Sequence, residues 1–376
     1  MTGSVSRVLV VGAGISGLTV ATAMAQRGVA VDLVEKRPEL SDGGGVGLTL
    51  VANALRALDA IGVAAQCVAQ GMPSDTLAMC RADGTLVTEM PSPRIGGPDW
   101  PGSTGIARAT LHHILSSAAK EAGVVITCGT TVDSWNEDAD GIMATLTNGQ
   151  SQRYDLIVGA DGIGSAVRGM IVPNAAPAYT GQVVWRAKTP RPAHVTRSHL
   201  FFGGPLGLVG ICPVADDLSY TYIVEAEPER LRLDEATLHT QMKAKLASYG
   251  GLVADMAATL DRPDLVSYRP LDWIKVAAPW NRGRVVLIGD AVHANPPVLA
   301  QGAAMAIEDA IVLTEEVTKD GSLTVALDRF VTRRYPRASK IVEVSCKLAQ
   351  AEVEHKADLD IGAIMRETSQ MLAQPI

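Results

Sequence analysis

Aromatic side chains are scarce in this chain: 4% of its 376 residues are Phe, Trp or Tyr, with three phenylalanines among them. Each such ring near a cavity therefore carries more information than usual, although a place in the core is its commoner fate. The five cysteines, Cys67, Cys80, Cys128, Cys212 and Cys346, form no C-x-x-C pair. That argues against a redox dithiol or a cysteine zinc module and fits a reducing, cytoplasmic setting. Cationic excess is missing too. With 33 Lys and Arg against 40 Asp and Glu the net charge is −7, so no global basic field attracts nucleic acid or anionic lipid, and an anionic substrate needs locally placed positive charge. One charge-free stretch, Val8 to Gln26, has the length of a membrane span or signal peptide. Its glycines and the β-pattern behind it identify a buried strand and helix instead, and no other stretch reads as a span. Internal repeats and a second G-x-G-x-x-G are absent. His112 and His113 have no partner at metal-ligand spacing, so no metal is expected.

What is present begins at Arg7. Val8 to Val11 is an apolar run suited to a strand buried on both faces, followed by Gly12, Gly14 and Gly17 in the order G-x-G-x-x-G and by small, apolar residues with helical character. In that setting Gly12 permits a tight turn, Gly14 lets a pyrophosphate approach the backbone, and Gly17 lets helix and strand pack closely. A second strand, Val29 to Val34, delivers Glu35 where an acid can accept hydrogen bonds from a ribose. Strand, glycines, helix, strand and acid in this order define a dinucleotide site. Lys36 and Arg37 follow, Arg37 being either a cap on the adenosine end or a solvated loop charge. The loop Gly43 to Gly47, with Val46, has little side chain and can lie against a flat ligand or serve as a simple turn.

Three further regions bear on the site. Arg108 precedes a helix with Leu111, Ile114 and Leu115 at helical spacing, and its guanidinium can reach phosphate or ribose oxygens. Asp155 to Val158 reads as a buried strand, and Asp161 behind it can bond a ligand hydroxyl or cap the next helix. Val285 to Ile288 is another buried strand with Asp290 at its carboxyl end, where open α/β sheets bind ligands. Pro296 and Pro297 stiffen the chain before Gln301, Gly302 and Ala303 open a helix whose N-terminus offers free N–H groups. His293 can be a general base or can orient the loop. Elsewhere Val124 to Thr127, Thr130 to Trp135 and Gly141 to Leu146 suggest a meander, with a hairpin also expected at Asp83-Gly84. Tyr179 to Arg269 reads as β-rich, with strands at 181–187, 199–202, 208–214 and 219–225 and a helix at 238–249. Helix continues from Gly302 to about Lys356, and the tail after Asp358 suggests no function.

Together, the glycine fingerprint with Glu35, the Asp161-Gly162 stretch and Gly289-Asp290-Ala-Val-His293 resemble the single-component FAD-dependent aromatic hydroxylases of the 4-hydroxybenzoate and salicylate hydroxylase type, over about Arg7 to Arg337. The resemblance implies an α/β fold: a Rossmann-like FAD-binding domain, an interleaved β-rich substrate domain and a C-terminal helical region. The expected division is 1–75, 105–178 and 271–376 for the FAD side and C-terminal helices, with 76–104 and 179–270 on the substrate side. It further implies FAD, held by Gly12, Gly14, Gly17, Glu35, Lys36, Arg37, Val46, Arg108, Asp161, Asp290, Gln301, Gly302 and Ala303, with NADH or NADPH as co-substrate. The implied activity is hydroxylation of a small aromatic or N-heteroaromatic phenol or acid by O₂ through a flavin C4a-hydroperoxide, in a monomer or homodimer without nucleic-acid or membrane partners. A reductase or dehydrogenase of the same fold, or a flavin-binding sensor, is the alternative. Catalytic candidates are His293, Pro297, Arg186 and Tyr222, and Trp185, Phe201, Phe202 and Cys212 are possible cavity residues. Ala300, where many relatives have glycine, and Ala109-Thr110 after Arg108, where an acid is frequent, depart from the pattern.

Overall fold

The computed structural model describes residues 5–41, 44–354 and 359–376. Its first layer is a six-stranded sheet. The strands run in the order 281–282, 285–287, 156–159, 7–11, 30–35 and 125–128. The strand Arg7–Val11 lies at its centre, parallel to both neighbours, with Val8 beside Leu156 and Val31. Both of its flanks are hydrogen-bonded and Val8, Leu9 and Val10 are wholly buried, which is why this segment is continuously apolar rather than alternating. The helix Ile15–Ala25 packs on it, and burying Leu18 and Met24 contributes roughly 1.5–3 kcal/mol each. One expectation is corrected here. Val125–Cys128 is not part of a meander but the parallel edge strand of this sheet, Asp32 pairing with Val125. The antiparallel layer consists of Val132–Asp138, Gly141–Leu146 and Ser151–Tyr154.

A second, seven-stranded sheet collects 266–273, 178–190, 218–226, 208–213, 199–202, 76–81 and 86–91 in that order. Its long strand Ala178–Pro190 alternates sharply between two environments. Val183, Trp185 and Ala187 join Phe201, Val209, Ile211, Ile223 and Tyr268 in a core closed by Leu238, Met242, Leu246, Val253 and Met256 of the helices Leu238–Leu246 and Gly251–Ala258. Arg186 points to the opposite face, as period-two geometry requires. Trp185 and Phe201 are thus core rings rather than cavity walls, and Phe202 is 40% exposed at its strand end.

Between the two layers a small sheet of Gly47–Val51, Ser103–Ala107 and Met72–Ser74 forms a bridge. Helix Gly302–Val317 lies against Ile15–Ala25, and the 31-residue helix Leu323–Val353 packs on Gly302–Val317 and on the strands 178–190 and 218–226 of the seven-stranded sheet. Lys356, the expected helix end, lies outside the described residues. The last helix, Ile361–Ala373, is fastened by arginines: Arg337 donates to the carbonyls of Met371 and Leu372, and Arg56 to those of Leu372, Ala373 and Gln374.

Candidate active site

Three segments distant in sequence converge at the carboxyl ends of the central strands. Gly12 turns with φ at 105°, and a Cβ there would stand 2.6 Å from the Ala160 carbonyl oxygen. Gly17 packs so closely that a Cβ would be 1.8 Å from Gly12 O. Gly14, by contrast, faces open space and caps the first helix with no side-chain hydrogen bond. The helix at Gly302 likewise begins without a side-chain cap. Two helix N-termini therefore present unspent N–H groups to one region, an arrangement suited to anionic and carbonyl oxygens. Gly289 sits between them, its would-be Cβ 2.9 Å from Ser16 Oγ and 3.1 Å from Ala306 Cβ.

The polar groups around this region fit a dinucleotide. Glu35 is 7% exposed and accepts the Ala13 and Arg37 N–H groups at 2.9 and 3.0 Å, which fixes its carboxylate at the strand end. Arg37 bonds Ser41 and leans on Glu35 at 3.8 Å, while Lys36 is exposed. Asp290 is exposed at the start of a single helical turn and has no hydrogen-bond partner among the described residues. Ser16 Oγ is buried without a partner among the described residues, and a ligand oxygen would satisfy it. Arg108 opens its helix by donating its N–H to Val46 O at 3.2 Å, and its side chain lies over Gly45. Gly43 lies outside the described residues. Asp161 does cap: it accepts from Ser165 Oγ and from the Ala166 and Val167 N–H groups, so both its oxygens serve the helix Ala166–Ile171.

His293 is corrected as a catalytic candidate. It is 1% exposed, its Nε2 lies 2.5 Å from Asp309 Oδ2, and its Nδ1 is also shut off from solvent. Trp280 packs against its ring. Asp309 accepts the Gly289 N–H at 2.9 Å and Arg334 Nε at 2.8 Å. Burial alone would raise the Asp309 pKa, but His293 and Arg334 hold it below the ordinary carboxylate range. A buried imidazole bound to a carboxylate in this way orients the loop below Asp290 and is shut off from any ligand outside it. Pro297 is exposed and starts a one-turn 3₁₀ segment, Pro297–Leu299, after which Ala300 adopts φ 53°. Gln301 turns its side chain inward to Asn53, so only its backbone faces the helix mouth, whereas Gly302 and Ala303 are partly exposed there.

A second group of polar side chains lies on the face of the seven-stranded sheet that carries Arg186. Its cross-strand partner is Tyr222, whose ring lies on Gly210 so closely that a Cβ there would be 2.2 Å from Cζ. Tyr220, two residues earlier on the same face, stands 5.3 Å from Tyr222 between ring centroids. Cys212 Sγ lies 3.6 Å from Thr49 Oγ1 of the bridging sheet. The sheets join through glycines: a Cβ on Gly47 would be 2.6 Å from Val214, and one on Gly105 only 2.1 Å from Pro213 O. Burial lowers the Arg186 pKa; Arg108 and Arg269 act in the same direction, Tyr220 and Tyr222 against it. Burial raises both tyrosines well above their ordinary value and raises Cys212 as well. Among the described residues no carboxylate pairs with Arg186. Sequence reasoning passed over Tyr220, although period two from Tyr222 points to it. It also passed over Ser16, Asn53 and the acid pair Glu308-Asp309, for which the sequence holds no local signal.

A glycine turn, a terminal acid and two uncapped helix ends at the carboxyl ends of a parallel sheet make this a dinucleotide-binding α/β protein. The family model for the FAD binding domain matches residues 5–345, and the chain belongs to that family. It is 34% identical over 312 residues to the 2-heptyl-3-hydroxy-4(1H)-quinolone synthase of Pseudomonas aeruginosa, covering 81% of this chain and 79% of that one. It is 29% identical over 353 residues to the 6-hydroxynicotinate 3-monooxygenase of Bordetella bronchiseptica, covering 90% of each. A variant of HpxO from Klebsiella pneumoniae, solved with FAD, superposes with a TM-score of 0.83 at 25% identity over 98% of this chain and 95% of that one. The protein is an oxidoreductase of the FAD-dependent monooxygenase and aromatic hydroxylase type, with FAD as its cofactor. Among the described residues no helix is long and apolar enough to cross a membrane.

Proposed function

We propose that the protein uses NADH or NADPH and O₂ to hydroxylate a small aromatic or N-heteroaromatic substrate that binds as an anion, a phenolate or carboxylate. The observation that carries this is Arg186: a half-buried guanidinium opposite Tyr222 on one sheet face, with Tyr220 beside it and no carboxylate paired with it among the described residues. A partly desolvated charge without a counter-charge is costly, and a substrate anion reaching that face supplies the partner. Tyr220 and Tyr222 keep their protons through neutral pH because burial raises their pKa values, so they donate hydrogen bonds to the substrate rather than take its proton. Pairing with Arg186 then favours the electron-rich, deprotonated ring without a general base. The names of the relatives support a heteroaromatic ring, a quinolone in one case and a hydroxypyridine acid in the other.

FAD, when bound, supplies electron transfer from the nicotinamide and activation of O₂. Gly12, Gly14 and Gly17 with the first helix N-terminus would hold its pyrophosphate, Glu35 its adenosine ribose, Asp290 its ribitol, and Gly302 and Ala303 its pyrimidine edge. Arg37, Lys36, Val46 and Arg108 border the same path. Asp161 would shape this loop by accepting from Ser165 and the first N–H groups of the helix, with Oδ1 keeping acceptor capacity for a ligand hydroxyl. A cytoplasmic location belongs to the same reading, supported by cysteines that are all free thiols. The test is to follow NAD(P)H and O₂ consumption by the purified protein across phenols, benzoates, hydroxypyridine acids and quinolones, assaying peroxide in parallel. Acceleration by an anionic heteroaromatic or aromatic compound, with product one oxygen heavier, is expected. Acceleration by neutral compounds alone would overturn the anionic assignment.

A further inference from the structure

The turn from Pro297 to Gly302 carries the only non-glycine residue with positive φ among the described residues, Ala300 at 53°. Its own hydrogen bonding is slight: the Ala300 N–H donates to Pro297 O at 2.9 Å. An alanine does not stay in the left-handed region unless its surroundings over-determine it. The next residue supplies the surroundings. Gln301 is 4% exposed and forms a reciprocal amide pair with Asn53, Asn53 Nδ2 donating to Gln301 Oε1 at 3.0 Å and Gln301 Nε2 to Asn53 Oδ1 at 3.3 Å. Asn53 is wholly buried on the helix Ala52–Asp59, and its second N–H goes to Glu308 Oε1 at 2.9 Å. Glu308 in turn is held by Arg334 and Arg337 at 2.7 and 2.8 Å. Every donor and acceptor of the Asn53 side chain is engaged, and the chain of contacts ends one residue before the helix mouth.

We propose that Asn53 is a positioning residue for the flavin-facing turn. It acts through Gln301 to keep Ala300 left-handed and so aims the N–H groups of Gly302 and Ala303 at the place where negative charge develops on the reduced cofactor, an assignment that rests on the cofactor placement given above. Fixed donors at such a place stabilise the charged state in proportion to their alignment, so loosening the turn costs stabilisation without removing any ligand contact.

The experiment compares wild type, Asn53→Ala, Gln301→Ala, the double variant, and Asn53→Ala with Ala300→Gly. Amide hydrogen exchange over 297–305 is measured in flavin-free protein, and the midpoint potential of bound flavin in the loaded protein. Losing a buried hydrogen-bonded partner predicts roughly ten- to a hundredfold faster exchange in that segment, with the strand Arg7–Val11 unchanged. The potential is expected to fall, the double variant to match either single one, and Ala300→Gly to restore part of both losses, because glycine holds the left-handed turn unaided. Unchanged segment exchange and potential in both single variants would overturn the proposal while leaving the cofactor placement intact. Acceleration spread evenly over all segments, with no effect of Ala300→Gly, would overturn it as well, since Asn53 would then be a general core residue. A wild type that purifies without flavin and binds none would sink the cofactor placement instead, and the exchange data would still decide whether Asn53 holds the turn.

Discussion

Arg186 and Asp290 are charges of opposite sign, each without an oppositely charged partner among the described residues, and each gives a different prediction. Arg186→Gln should lower kcat/KM for an anionic substrate by about a hundredfold or more, chiefly through KM, while leaving flavin content unchanged. Arg186→Lys should recover only part, because an ammonium cannot form the planar two-point contact. Steady-state kinetics with a spectrophotometric flavin count checks both. Asp290→Ala removes a carboxylate that has no partner among the described residues, so it should weaken FAD retention without moving the melting temperature of flavin-free protein. Glu35→Ala should do both, since its carboxylate also satisfies the Ala13 and Arg37 N–H groups; about 1–3 kcal/mol of stability is at stake there. Ala300→Gly in the wild-type background relieves a left-handed alanine, worth about 1–2 kcal/mol, against about 0.5–1 kcal/mol of added chain entropy. A small net gain, on the order of 1 °C in calorimetry, is the expected result.

At the scale of elements, legibility followed locality. The glycine fingerprint, the first helix and Glu35 could be read because one stretch of chain contains strand, turn, helix and acid together, and the 83–84 hairpin could be read because its partners are neighbours. The strand Val125–Cys128 was misplaced because its partner, Ala30–Glu35, lies far back in the chain and parallel pairing leaves no turn to betray it. The sequence leaves open, for another reason, whether Trp185 and Phe201 face core or cavity. Alternation says which residues share a face but not which face is covered, and only the helices Leu238–Leu246 and Gly251–Ala258 decide that. Whether His293 serves as a base or orients the loop could not be read from its neighbours, because Asp309, which claims it, is 16 residues away and in contact only through the fold. Asp309→Asn should therefore destabilise the folded protein by about 3–5 kcal/mol, read by denaturant unfolding, as it removes the buried carboxylate that Arg334, His293 and the Gly289 N–H share, leaving Glu308 as the one carboxylate on Arg334 among the described residues.

For the whole molecule, acid stability depends on the helical half. Glu316 sits at the junction of the helices Gly302–Val317 and Leu323–Val353; burial would raise its pKa, but hydrogen bonds from Lys319, Arg333 and Arg329 bring it from 4.5 down to about 2. A depressed folded-state pKa gives stability that is complete above the unfolded value of 4.5 and is lost as pH falls toward 2. Glu316→Gln should flatten the stability profile across that window, measured by urea unfolding at stepped pH. The glycine joint between the sheets has a different kind of consequence. Because Gly47 and Gly105 bring the bridging sheet against the Val214 side chain and the Pro213 carbonyl with no room for a side chain of their own, the spacing between the bridging sheet and the seven-stranded sheet is closed to adjustment at those two positions. If the proposed substrate face is the one that carries Arg186, Tyr220 and Tyr222, divergence in substrate range is expected to fall on those side chains, exchanged one at a time on a frame that does not move. Evolution would then repaint one wall and leave the room the same size.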